Sequence, residues 1–346
     1  MDWTNRKESF LNLPTPLEYL ETISKEQGVH FYIKRDDVTN LGFGGNKLRK
    51  LEYILKDARN QNATMIITRG AVQTNHGRLT AAAAAKYGMK CAIVCIGEYP
   101  GELSANLLLD RILGAEVIIK KPNGRPIEEQ YKELIKQVCS RYEEQGERVY
   151  YTPMGGSDEV GSLGYYECAK EIAAQTKGKE FENARLFCSV GSVGTYMGLY
   201  CGLQEVENSL HLTGVAIMPF DEEKDKEVGA LYKRVKTLLG KETGDLPEFH
   251  IEKGYVRGGY NQPSPEVREA VYYMARKEGI FLDPCYTGKC FAGILEMIRE
   301  GKIKNGETII FLHTGGGPGL FTRHHREAFE EELMAGVHLL EEDGEF

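Results

Sequence analysis

Gly44-Gly45-Asn46-Lys47-Leu48-Arg49-Lys50 places a lysine just past a glycine pair, one residue intervening, where a loop turns into a helix. Glycines let a backbone approach a ligand closely. A helix start supplies free N–H groups and the positive end of a dipole. That field, with Arg49 and Lys50 nearby, favours a neutral Lys47 amine, which can attack a carbonyl and hold a cofactor as a Schiff base. The alternative is a basic first turn that binds only water or a passing anion.

Four further loops could carry chemistry. Thr68 to Arg78 leaves an apolar run and enters an alanine-rich helix, with Thr74, Asn75 and His76 at its start. These residues serve either as a plain N-cap or as a carboxylate site, with an Asn75 donor for a phenolate-type oxygen. Gly191-Ser192-Val193-Gly194-Thr195 is either a phosphate cradle or a ligand-free turn. Asp283-Pro-Cys-Tyr-Thr-Gly-Lys289 puts Tyr286 in a turn, over a ligand or packed at the surface. His313-Thr-Gly-Gly-Gly-Pro-Gly319 permits flat approach of a planar ring, with the Thr314 hydroxyl available to a ring nitrogen, or is a structural turn. No Walker sequence, GxGxxG, HExxH, paired Cys/His spacing or GxSxG elbow occurs, so a nicotinamide dehydrogenase, a metal site and a serine hydrolase are not expected.

These loops need strands that aim them. Apolar runs at 29–34, 64–68, 91–96, 115–119, 148–152, 185–190, 211–217 and 307–313 predict strands. Amphipathic stretches at 46–60, 75–87, 102–113, 127–145, 159–176, 194–204, 225–239, 264–278, 288–301 and 319–332 predict helices. The alternation predicts an α/β fold with parallel sheets flanked by helices, whose ligands lie beyond the carboxyl ends of strands. At 346 residues and 41% hydrophobic, the chain suits two domains or one large unit. A net charge of −8 without a long basic run argues against nucleic acid. No apolar run approaches the roughly 20 residues of a membrane span. Eight cysteines with no Cys-x-x-Cys pair, and a polar start without a signal peptide, point to the cytoplasm. The acidic tail at 341–345 reads as a solvated, frayed end.

Taken together, Lys34-Arg-Asp-Asp37, Gly44 to Tyr53, Gln73-Thr-Asn-His76, Asp283 to Lys289 and His313-Thr-Gly-Gly316 resemble one group. It is the D-cysteine desulfhydrase and 1-aminocyclopropane-1-carboxylate deaminase family of pyridoxal 5'-phosphate enzymes, with the tryptophan-synthase-β-like fold. The resemblance runs from about Asn12 to Phe321 and implies two lobes, each with a mostly parallel sheet flanked by helices: residues 1–49 with 158–346, and residues 50–157. It implies that Lys47 holds the cofactor and later carries protons, and that Asn75 bonds its phenolic oxygen. Gly191, Ser192, Val193, Gly194 and Thr195 would hold the phosphate. Thr74, Asn75 and His76 would bind the substrate carboxylate, Tyr260 and Tyr286 would line the site, and Thr287 and Thr314 would lie near the pyridine nitrogen. Lys47, Thr74, Tyr260 and Tyr286 would be catalytic, with either Lys47 or a tyrosine as the base that takes the Cα proton.

Three departures stand out. Thr74 replaces the family's usual serine, Val193 a common glycine, and Thr287 the glutamate of the deaminase branch. Without that glutamate the ring is a weaker electron sink, which points to β-elimination: D-cysteine to pyruvate, hydrogen sulfide and ammonia. The alternatives are an L-cysteate sulfo-lyase, a 1-aminocyclopropane-1-carboxylate deaminase, a β-replacement synthase and, outside catalysis, a pyridoxal-phosphate carrier. A sulfo-lyase needs donors for a sulfonate, for which Arg78 is either a candidate or an ordinary exposed helix charge. The family resemblance also implies a homodimer.

Overall fold

The computed structural model describes residues 6–339. Its larger sheet has six strands in the order β1 (Leu17–Tyr19), β2 (His30–Arg35), β10 (Thr308–His313), β7 (Arg185–Val190), β8 (His211–Ala216) and β9 (Ile251–Glu252). Only β1 runs antiparallel to its neighbour. The smaller sheet is wholly parallel, in the order β5 (Glu116–Lys120), β4 (Lys90–Ile96), β3 (Met65–Arg69) and β6 (Val149–Thr152). Central strands such as β4 and β10 are nearly unbroken apolar runs because helices cover both faces.

All eight predicted strands form, within one residue at either end. Two further strands, β1 and β9, have no apolar run that predicts them. They are three and two residues long and sit at the two edges of the larger sheet, too short to show a period.

The helices are α1 (Glu21–Gln27), α2 (Lys47–Asn60), α3 (Asn75–Lys86), α4 (Ala105–Ile112), α5 (Ile127–Glu144), α6 (Glu159–Gln175), α7 (Gly194–Leu203), α8 (Glu222–Leu238), α9 (Pro265–Glu278), α10 (Thr287–Arg299) and α11 (Arg323–Leu333). Helix α1 was not predicted: its seven residues bury only Ile23 and Ser24. Helix α8 starts three residues before the expected position, because the Asp221 side chain caps the Lys224 N–H at 2.9 Å. Helix α11 starts later than expected, since residues 317–321 form a tighter 3-10 turn around Pro318. Among the described residues no helix is long and apolar enough to cross a membrane. The acidic tail at 341–345 and the first five residues lie outside the described residues.

Two features fix α7 and α2 in place. Helices α6 and α7 cross closely at Gly198 and Gly202, where an added Cβ would come within 2.3 Å of the Ser162 and Tyr166 carbonyl oxygens respectively. Gly202→Ala therefore sets about 1–3 kcal/mol of overpacking against at most about 1 kcal/mol of helix-propensity gain. The expected result is a lower thermal midpoint, and an unchanged or raised midpoint would show that this crossing has slack.

The second feature is a buried ionic network. Arg49 of α2 holds Asp36, just after β2, through two bonds of 2.8 and 2.9 Å, and Glu171 of α6 through bonds of 3.0 and 2.9 Å. Thr15, Tyr165 and Lys34 complete it. Arg49 and Lys34 hold the Asp36 carboxyl below its ordinary range against the opposing effect of burial. The network locks the first turn of α2, where Lys47 sits, against both β2 and α6.

Candidate active site

The loops after β2, β3, β7 and β10 all leave the carboxyl ends of parallel strands, and direct contacts join them. Asn46 donates its N–H to the Thr314 carbonyl at 3.0 Å, and its side-chain amide to the Thr195 hydroxyl at 2.9 Å. A Cβ on Gly315 would stand 2.8 Å from the Gly45 Cα, so two glycines let the lysine loop and the β10 loop touch backbone to backbone. A Cβ on Gly191 would stand 3.5 Å from the Tyr286 ring. The structure thus gathers Lys47, the 191–195 loop, Tyr286 and Thr314 at one place.

Lys47 begins α2 and is 9% exposed. Among the described residues its ammonium has no hydrogen bond or carboxylate partner, and burial lowers its pKa to about 8. About one tenth of the amine is then neutral at pH 7, against far less for an ordinary lysine. Lys50, one turn on and on the same face, is a functional candidate that the sequence showed only as nearby charge. It is fully buried, and burial and Lys47 push its pKa well below the ordinary lysine value. Its Nζ donates to the Gly155 carbonyl and the Ser157 hydroxyl, both at 3.1 Å, and a Cβ on Gly194 would lie 2.8 Å from it. The amine therefore faces the 191–195 loop, whose second wall is Ser157, 2.8 Å from the Ser192 hydroxyl.

Val193 precedes α7 with φ of 67° and ψ of −33°. The Gly194 N–H donates to the Ser192 carbonyl at 2.8 Å, which closes a tight three-residue γ-turn around it. A β-branched residue in this region carries strain of about 1–3 kcal/mol. Val193 is only 2% exposed and belongs to the core cluster that includes Met197 and Tyr196. Burying its side chain stabilises by about 1.5–3 kcal/mol, enough to offset the strain. The turn leaves first-turn N–H groups of α7 free for an anion.

At the start of α3, the Thr74 hydroxyl accepts the Gly77 N–H at 3.2 Å, an N-cap. The Asn75 side-chain oxygen accepts from the Asn106 amide at 3.0 Å, which leaves the Asn75 amino group as an uncommitted donor. His76 is 2% exposed and neither ring nitrogen has a partner. Burial, Lys47 and Lys50 keep it neutral. Arg78, by contrast, is not an exposed helix charge. It is fully buried, and burial lowers its pKa to about 10. Its donors go to Asn106 and to the Gly42 and Gly44 carbonyls.

On the facing side, the Tyr260 and Tyr286 hydroxyls lie 2.6 Å apart with the rings edge to face. Burial pushes both phenols up, so both hold their protons. Tyr286 stands just before α10. The Thr287 hydroxyl donates to Asp283 Oδ1 at 2.7 Å and accepts the Asp283 N–H at 2.8 Å. Its single proton is committed, so toward any further group it can only accept. The Thr314 and Ser189 hydroxyls are 3.4 Å apart.

These features fit pyridoxal phosphate. An unpaired lysine amine suits an aldehyde, the Gly45–Gly315 contact suits a flat ring, and the α7 start with Lys50 suits a phosphate. The free Asn75 amino group and the orphaned His76 ring add donors for oxygen anions.

Residues 9–315 match the family of pyridoxal-phosphate dependent enzymes. The chain is 40% identical over 318 residues to a D-cysteine desulfhydrase of Yersinia pestis, covering 90% of this chain and 93% of that one. It is 39% identical over 307 residues to a Pyrococcus horikoshii protein provisionally named 1-aminocyclopropane-1-carboxylate deaminase, covering 89% and 90%. The crystal structure of a 1-aminocyclopropane-1-carboxylate deaminase homologue superposes with a TM-score of 0.83 at 35% identity, over 96% of each chain. By sequence and by fold, this chain belongs to the pyridoxal-phosphate-dependent enzymes of the tryptophan-synthase-β-like fold, in the D-cysteine desulfhydrase and 1-aminocyclopropane-1-carboxylate deaminase family.

Proposed function

We propose that the protein is a β-eliminating carbon–sulfur lyase that converts D-cysteine to pyruvate, hydrogen sulfide and ammonia. The observation that carries the chemistry is Lys47, a buried amine with no partner and a lowered pKa at the meeting point of the loops. When bound, pyridoxal phosphate supplies an electron sink for a carbanion at the substrate Cα.

The chain's own residues do the rest. Lys47 holds the cofactor until substrate arrives, and its freed Nζ then takes the Cα proton. The tyrosines do not compete for that task, because burial keeps both protonated. Their paired hydroxyls instead deliver a proton to the departing sulfur. The backbone N–H groups at the start of α3, with Thr74, Asn75 and His76, orient the substrate carboxylate. The Asn75 amino group serves the phenolic oxygen. Gly191 through Thr195 with Lys50 hold the phosphate.

Thr287 favours this reaction over cyclopropane opening. It offers the ring nitrogen a neutral acceptor, which holds a ring proton less firmly than a carboxylate does. A thiol leaves readily from such a ring, whereas a strained carbon–carbon bond needs the stronger sink. The sulfo-lyase reading loses its one named donor, since Arg78 is buried against backbone carbonyls. Sulfide from D-cysteine supports the lyase reading, and sulfite from L-cysteate with no sulfide from D-cysteine would replace it.

The Lys47 environment makes a pH prediction. Burial lowers the ammonium pKa to about 8, and only the neutral amine attacks an aldehyde. Reloading of cofactor-stripped protein should speed up about ten-fold per pH unit below that value and level off above it. A flat rate between about pH 6 and 9 would mean that the Lys47 amine is not the group that reacts.

The larger lobe is taken as residues 1–49 with 158–346 and the smaller as 50–157, in keeping with strands of the four-stranded sheet drawn only from residues 65–152. A homodimer in the reducing cytoplasm suits the family resemblance and the free cysteines, most of them buried.

A further inference from the structure

We propose that Arg78 and Asn106 are positioning residues that decide which atom of Asn75 faces the cofactor and tie it to the loop that delivers Lys47. The inference rests on the roles proposed above for Asn75 and Lys47.

The argument is one of forced orientation. Arg78 is fully buried one turn after Asn75 on α3. Its guanidinium has donors only. Its Nε donates to a side-chain atom of Asn106 on α4 at 2.8 Å, and that atom must be the oxygen, Oδ1. The Asn106 amino group then faces the other way, where it meets two acceptors: the Gln73 carbonyl at 3.1 Å and Asn75 at 3.0 Å. The Gln73 carbonyl cannot donate, so this orientation is doubly fixed. Asn75 must therefore present Oδ1 to Asn106 and turn its amino group toward the site. An anionic ring oxygen needs a donor there, and a flipped Asn75 would offer a lone pair instead.

The other arm of the guanidinium reaches the lysine loop. Nη1 donates to the Gly42 carbonyl and Nη2 lies 3.4 Å from the Gly44 carbonyl. Gly42, Phe43, Gly44 and Gly45 all have positive φ, from 54° to 131°, and Arg78 adds to the bonds that hold this stretch, from the Gly44 N–H to the Leu41 carbonyl at 2.9 Å and from the Gly45 N–H to the Thr39 hydroxyl at 2.8 Å. One cation thus aligns both the donor for the ring oxygen and the backbone that carries Lys47. A cation at the end of a hydrogen-bond chain also strengthens the donors further along it. A lysine at this position would keep the charge but not the planar fork that reaches three acceptors.

Asn106→Asp tests this with little change of volume. Its carboxylate still accepts from Arg78, but its second oxygen repels Asn75 Oδ1, and Asn75 relieves the repulsion by flipping. In the holoenzyme, cofactor should then dissociate about ten-fold more readily. The visible band of the lysine-linked cofactor should also titrate at higher pH, because the ring oxygen loses its donor. Both effects should vanish when Asn106→Asp is made in an Asn75→Ala background. Unchanged affinity and titration in Asn106→Asp would overturn the inference, as would effects of undiminished size in the Asn75→Ala background. If Asn75→Ala alone leaves cofactor affinity and titration untouched, the Asn75 role falls and the relay with it. Should Asn106→Asp fail to fold, Asn106→Leu, which removes the amino group that orients Asn75, is read by the same measurements, with the same expected directions and the same overturning results.

Discussion

Lys47→Ala should abolish covalent cofactor retention and lower turnover by about a thousand-fold or more. On the proposed roles the variant loses the amine that would hold the cofactor and, in the same atom, the base that would take the Cα proton. No neighbour replaces it. Lys50 is one turn away, but its Nζ is committed to Gly155 and Ser157 and faces the 191–195 loop. The fold should survive, because removing a buried amine without a partner breaks no bond and relieves a desolvation cost. Two measurements check this: the visible absorbance of the purified variant, and keto-acid release at saturating substrate. A yellow, active variant would mean that another lysine carries the chemistry.

Tyr286→Phe should lower kcat by roughly a hundred-fold while leaving cofactor absorbance and affinity near those of the parent. The hydroxyl pair is set 2.6 Å apart in a half-buried pocket, and both phenols hold their protons. Proton donation to a leaving group by a positioned side chain contributes about 10²–10⁴-fold. The loss should shrink for substrates whose leaving group departs without a proton, because the variant lacks only the acid. A uniform loss across leaving groups would point to a packing role for the ring. A variant with parental kcat would remove Tyr286 from the chemistry.

Much of the fold was legible because central parallel strands are continuous apolar runs. The 185–190 strand was placed without error, and the rest of the eight within a residue. The edge strands at 17–19 and 251–252 were not, since so few residues carry no period. The place of Lys47 at a helix start was legible from its glycine pair, and the strand-to-helix loops from their small residues before helices. Lys50 was visible only as charge, because nothing in a sequence reports that a lysine is buried against the 191–195 loop. Arg78 left two readings open for the same reason, and its burial against Asn106 and two backbone carbonyls fits neither. Val193 could be noticed as a departure but not explained until its γ-turn and buried side chain were seen together. Asn106 left no signal at all: one asparagine in a short leucine-rich helix acquires meaning only from the Arg78 and Asn75 atoms on either side of it.

The most direct test of the lyase assignment is product release from the purified holoenzyme given D-cysteine, L-cysteine and 1-aminocyclopropane-1-carboxylate in parallel. Pyruvate and sulfide in equal amounts from D-cysteine, with little from the other two, is the predicted result. A keto acid released from 1-aminocyclopropane-1-carboxylate with no sulfide from either cysteine would contradict it, and would show that Thr287 does not weaken the electron sink.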